Sequence, residues 1–102
     1  MILSTEQIKN IITGFFEKKP VRKVWLFGSY ARGDADENSD VDVLVDIDHS
    51  VPAGWDYFIW PEQLAEILKK KVDIVSSGWE NKHIKPFIDK DKYIIYERYD
   101  IG

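Results

Sequence analysis

No cysteine occurs in the 102 residues, which removes disulfide frameworks, thiolate metal sites and cysteine nucleophiles together and fits a reducing compartment. Long apolar runs are missing as well. Nothing approaches the roughly 18 residues of a membrane-spanning helix, and the opening MILSTEQIKN lacks the basic-then-apolar order of a secretory leader. The expectation is a soluble, cytoplasmic protein with no membrane partner. Positive charge is scarce too: 14 Lys plus Arg stand against 18 Asp plus Glu, a formal net charge of −4. Binding to a nucleic-acid backbone rests on clustered cations, so strong nucleic-acid binding is not expected.

What is present suffices for a single domain over residues 1–102. The chain is 44% apolar and 14% aromatic, and at this length roughly two-thirds of the unfolded surface can be buried without covalent staples. The acid is unevenly placed. Between Asp34 and Asp48 lie seven carboxylates (Asp34, Asp36, Glu37, Asp40, Asp42, Asp46, Asp48) and no Lys or Arg. Such a block repels itself unless a cation joins it.

Periodicity gives the elements. Ser4 and Gln7 form a capping-box pair, followed by Ile8, Ile11, Ile12, Phe15 and Phe16 at helical spacing. Lys18 and Lys19 suit the carboxyl end of that helix, and Pro20 ends it. Val21–Phe27 reads as a largely buried strand closed by Gly28. Residues 28–39 are turn-rich with room for one helical turn, and Val41, Val43 and Val45 alternate with Asp40, Asp42, Leu44 and Asp46 in a second strand. After a loop at 49–54, helical spacing runs from Trp55 to Lys70, Pro61 marking either its start or a kink. A strand at Val72–Val75, a turn at 76–78, a weak helix from Glu80 to Ile88 interrupted by Pro86 and a last strand at Tyr93–Tyr96 complete the chain. Helices alternating with strands imply an α/β (α+β) fold, a small mixed β-sheet with helices packed against it. Trp25 is expected in the core; Trp55, Trp60 and Trp79 fit core, nucleobase stack or partner surface, with core first, and His49 and His83 are expected on the surface.

Two motifs fail on inspection. Gly28 to Gly33 has P-loop spacing, but Asp34 and Ala35 stand where Lys and Ser or Thr must follow. Asp34-x-Asp36-x-Asn38 begins like a calcium loop, yet Ser39 and Val45 occupy the Gly and bidentate Glu positions. Asp40-Val41-Asp42 survives. Residues i and i+2 of a strand share a face, so both carboxylates project together and favour a divalent cation between them. Upstream, a strand delivers Gly28 and Ser29, where a phosphate can approach the backbone closely. Ser39 either bonds a phosphate or caps its strand.

Written out, GSYARGDADENSDVDVLV, with Gly28-Ser29, ten residues and Asp40-x-Asp42, resembles the signature of the nucleotidyltransferases related to DNA polymerase beta. The likeness runs from about Val21 to Val75 and is greatest to the minimal nucleotidyltransferases of prokaryotes. It implies a palm-like core. It also implies that Asp40 and Asp42 bind two magnesium ions, and that Asp73, in Lys71-Val72-Asp73-Ile74-Val75, binds one and helps deprotonate an attacking hydroxyl. Gly28, Ser29 and Arg32, with Ser39, would then hold the triphosphate of ATP. Paired magnesium ions stabilise both attacking and leaving oxygens of an in-line displacement.

Family members of this kind are commonly encoded beside a HEPN ribonuclease toxin. The resemblance implies an antitoxin that transfers AMP from ATP to a tyrosine of that partner. Larger relatives add a second domain to present the acceptor; with the residues here taken up by sheet and helices, acceptor recognition is expected from another chain or another copy, so homo-oligomerisation stays open. Two alternatives stand beside this reading: a vestigial site in a module that neutralises its partner by contact, and transfer to RNA or a small molecule. Residues 78–102 match no motif and are assigned to sheet edge, helix packing and partner contact.

Overall fold

The computed structural model describes residues 3–48, 50 and 56–98. Helix α1 (Thr5–Phe16) begins where the capping pair requires: Ser4 Oγ accepts the Gln7 N–H at 3.1 Å and Gln7 Oε1 accepts the Ser4 N–H at 2.8 Å. A cap of this kind contributes about 1 kcal/mol. At the other end Lys19 Nζ donates to the Phe15 carbonyl at 2.9 Å, satisfying an acceptor left over by the last turn. The stripe Ile8, Ile12 and Phe16 is fully buried.

Strands β1 (Val21–Phe27), β2 (Val41–Ile47), β3 (Val72–Ser76) and β4 (Tyr93–Glu97) form one sheet in the order β3-β2-β1-β4. β1 is antiparallel to β2 and β4, whereas β2 and β3 are parallel. A parallel pair needs a long crossover, and helix α3 (Asp56–Leu68) supplies it. Between β1 and β2 lies the short helix α2 (Ser29–Arg32), and helix α4 (Lys85–Asp91) precedes β4. The expected mixed sheet with packed helices is therefore present.

The core lies between one face of the sheet and α1 with α3. Val24, Leu26, Val41, Val43 and Val45 meet Ile8, Ile12 and Phe16 from α1 and Trp60, Leu64 and Leu68 from α3. Trp60 stands edge-on to Phe16, ring centroids 5.7 Å apart, a geometry in which aromatic pairs add to simple area burial. The second face is more thinly covered. Leu44 and Ile88 are buried there, outside the main cluster. Trp25, paired in register with Leu44, is half-buried on that same face with the Lys92 ammonium 5.2 Å from its ring centroid.

Several boundaries differ from the sequence reading. The helix expected over Glu80–Ile88 starts at Lys85 and reaches Asp91; Pro86 does not interrupt it, because in the first turn its missing N–H has no partner to lose. Pro61 lies inside α3 rather than at its start. Trp60 is in the core, but Trp25 belongs to the second face and Trp79 is 80% exposed. Trp55, His49 and most of the 49–54 loop fall outside the described residues, while His83 is exposed as expected. Among the described residues no helix is long and apolar enough to cross a membrane.

Candidate active site

The site begins where β1 ends. Gly28 has φ 77° and ψ −157°, a conformation essentially restricted to glycine. A β-carbon there would overlap Asp42 Oδ2 and stand 3.1 Å from Asp42 Cγ. Backbone geometry and lack of a side chain are thus both required for β1 to turn against the second acid of Asp40-x-Asp42. The Gly28 carbonyl accepts the Ala31 and Arg32 N–H groups at 3.0 Å, starting α2, and Gly33 in the left-handed region ends it after one turn. Ser29, the first residue of α2, adjoins Gly28; its carbonyl receives the N–H groups of Gly33 and Asp34.

Sheet register gathers the acids. Asp42 pairs with Phe27 on β1 and with Asp73 on β3, so it stands mid-sheet with Asp73 beside it on the face opposite Val41 and Val43. Burial, then the charges of Asp73 and Asp40, push the Asp42 carboxyl up to about 6 against an ordinary 3.8; nearby Arg32 opposes the rise, and Asp42 shares a hydrogen bond with Asp73. Asp40, just before β2, is 3.9 Å from Lys71 Nζ.

Arg32 is held by two carboxylates. Its Nε donates to Asp34 at 3.2 Å and its Nη1 to Asp91 at 2.9 Å. These two hydrogen bonds, that to Asp91 first, raise its pKa further and keep the guanidinium charged. Ser39 is used differently from the other predicted residues: its Oγ accepts the Asp36 N–H at 2.8 Å and donates to Asp36 Oδ1 at 3.3 Å. It closes the loop before β2, which favours the capping alternative over the phosphate one. Lys70 pins that loop from outside by donating to the Glu37 carbonyl at 3.0 Å.

The structure therefore brings Gly28, Ser29, Arg32, Asp40, Asp42 and Asp73 to one end of the sheet and leaves the Ser39 hydroxyl in its own turn. Sequence reasoning missed Asp91, and with it the wall opposite Gly28. A cavity of about 270 Å³ opens between Gly28, Arg32 and Asp42 on one side and Ile84, Phe87, Ile88 and Asp91 on the other. No local signal marked these residues, since α4 is short and its partners are far away in sequence.

The donor set fits a hard divalent cation. Magnesium is held by one or two carboxylates with phosphate oxygens and waters completing its shell, and the carboxylates here are oxygen donors whose repulsion adds to burial in lifting Asp42. Among the described residues no three acidic or histidine side chains converge into a ready-made cage. Asp40 and Asp42, with Asp73, are the residues that would hold the cation.

Known proteins share this sequence pattern and fold. Residues 8–100 match the model of the nucleotidyltransferase domain family. Protein adenylyltransferase MntA of Thermococcus cleftensis is 38% identical over 78 residues, covering 72% of this chain and 78% of that one. Among solved structures, a toxin–antitoxin complex with AMP-PNP shares the fold at a TM-score of 0.71 and 22% identity, over 88% of this chain and 73% of the other. An MNT antitoxin in complex with the tri-AMPylated HEPN toxin of Shewanella oneidensis shares it at 0.66 and 18% identity, over 91% and 72%. With its strand-end glycine turn and three neighbouring carboxylates on the matching scaffold, this chain belongs to the nucleotidyltransferase domain family.

Proposed function

We propose that this chain is a magnesium-dependent nucleotidyltransferase that moves AMP from ATP to a hydroxyl, a tyrosine, of a HEPN-type toxin partner and so acts as an antitoxin. The observation that carries the chemistry is the pairing of Asp42 with Asp73 across β2 and β3, directly beside the Gly28 turn. Support for the acceptor class comes from the adenylyltransferase name of its Thermococcus relative and from the AMPylated toxin bound to a protein of the same fold.

In this reading the turn at Gly28 and Ser29 admits the triphosphate close to the backbone, and the Arg32 guanidinium, fixed by Asp34 and Asp91, faces its charge. Asp73, on an exposed strand position, takes the proton of the incoming hydroxyl. The hydroxyl oxygen bonds to the α-phosphorus as the bond from that phosphorus to the bridging oxygen breaks, and pyrophosphate leaves with the electron pair. Asp40, Asp42 and Asp73 would hold magnesium, which would neutralise charge at the attacking and leaving oxygens.

The test mixes the purified chain, a HEPN partner, ATP and magnesium, and measures the partner's intact mass. Stepwise additions of AMP, abolished by Asp40→Ala, Asp42→Ala and Asp73→Ala, are the expected result. Neutralisation of the partner by an Asp40→Ala, Asp42→Ala double variant with no change in mass favours the contact-only module. Label from α-labelled ATP appearing in RNA or a small molecule reassigns the acceptor.

A further inference from the structure

Resting on the nucleotide reading above, we propose that α4 forms the nucleobase subsite, with Phe87 as its stacking platform. The cavity beside Asp42 is divided in character: Gly28, Arg32 and Asp42 give it a charged end, and Ile84, Phe87 and Ile88 an apolar one. At about 270 Å³ it lies just below the ordinary range of ligand pockets, which starts at about 300 Å³, and so suits one planar ring system rather than a whole nucleotide. Phe87 is 68% exposed and Ile84 45% exposed. Such apolar area at the mouth of a polar site contributes nothing to the core and gains contact when a flat ring covers it.

Sheet order decides whose ring it is. Asp73 stands on β3, to one side of Asp42, whereas Phe27, Gly28 and α4 lie on the β1 side. A hydroxyl that gives its proton to Asp73 approaches from the β3 flank, so a tyrosine acceptor does not enter the α4 cavity; the nucleotide does. The Arg32–Asp91 hydrogen bond ties the end of α4 to the phosphate turn at 2.9 Å, with the Asp91 side chain only 12% exposed. This link holds the apolar wall at a fixed distance from the triphosphate. The side chains of the apolar end, Ile84, Phe87 and Ile88, carry no donor or acceptor, which leaves the ring edges unread. Stacking grips every base because each has a π-face, so this subsite supplies affinity with little discrimination between ATP and GTP.

Equilibrium binding of MgATP and of magnesium tripolyphosphate to the whole chain tests the assignment. Wild type is expected to bind MgATP about tenfold more tightly than tripolyphosphate, the order of magnitude of one stacked base. Phe87→Ala should lose that advantage while leaving tripolyphosphate unchanged, and Phe87→Trp should keep it; at an exposed position neither substitution threatens folding. Unchanged ATP affinity in Phe87→Ala overturns the proposal, as does a defect confined to labelling of the protein acceptor, which would give the ring to the acceptor. Failure of wild type to bind either ligand sinks the nucleotide reading itself, whereas tripolyphosphate binding without any ATP advantage sinks the base wall alone.

Discussion

Asp42 sets site chemistry against fold stability, and Asp42→Asn measures the conflict. In the folded chain its carboxyl is pushed from 3.8 up to about 6, first by burial and then by Asp73 and Asp40. A tenfold change in an ionisation equilibrium is about 1.4 kcal/mol, so the ionised form is disfavoured by nominally about 3 kcal/mol. The side chain is partly open to solvent, and screening reduces this to about 1–2 kcal/mol. Because the folded pKa lies above the unfolded one, the favourable contribution is complete below 3.8 and disappears as pH rises through about 6. The amide mimics the protonated acid and can keep the hydrogen bond to Asp73. In EDTA, Asp42→Asn should therefore match wild type at pH 4 and exceed it by about 1–2 kcal/mol at pH 7.5, or several degrees in Tm for a chain of this size. Magnesium with ATP should then raise the wild-type Tm and leave the variant unmoved, because only the carboxylate gains a ligand. Thermal unfolding at the two pH values gives the answer. A variant equal to or less stable than wild type at pH 7.5, or one whose advantage is as large at pH 4, refutes the reasoning.

Gly28→Ala should destabilise the chain by about 1–3 kcal/mol from backbone strain alone, and overlap with Asp42 Oδ2 should abolish nucleotidyl transfer; urea unfolding and label transfer from ATP check the two parts separately. Lys71→Ala removes the ammonium 3.9 Å from Asp40. Since an exposed pair is worth no more than about 1 kcal/mol, magnesium affinity measured by titration should tighten by at most about fivefold, with no loss of fold stability.

What the sequence makes legible is whatever is local. The α1 start is written in Ser4 and Gln7, two residues of one turn that satisfy each other's backbone, and β2 in the alternation of Val41, Val43 and Val45. The acid–glycine pair is legible for a similar reason: Gly28 follows β1 directly and Asp42 lies on its antiparallel neighbour β2, so one short segment of chain holds both. Asp73 is further away, yet the parallel register places it opposite Asp42. Arg32 and Asp91 are 59 residues apart, and no periodicity relates them. A similar separation hides the α4 wall from Gly28. Pro86 misled because a proline in a helix interior and one in a first turn look alike until the boundary is known. Trp25 and Trp79 misled because aromatic size argues for burial without saying which face of a sheet, or which loop, will hold the ring.

Strand β2 carries two inscriptions on one ribbon: valines at 41, 43 and 45 on the side facing α1 and α3, and Asp42 and Asp46 on the side facing away. Because side chains alternate with a period of two, sliding this strand by one residue against β1 would exchange the two sets entirely. Carboxylates would enter the hydrocarbon interior between the sheet and α1 with α3, so the misaligned molecule could not persist. The arrangement works as a built-in proofreader. Any copy whose central strand has settled stably has also aimed its acids correctly, and a population of well-folded but misaligned molecules is closed to this sequence.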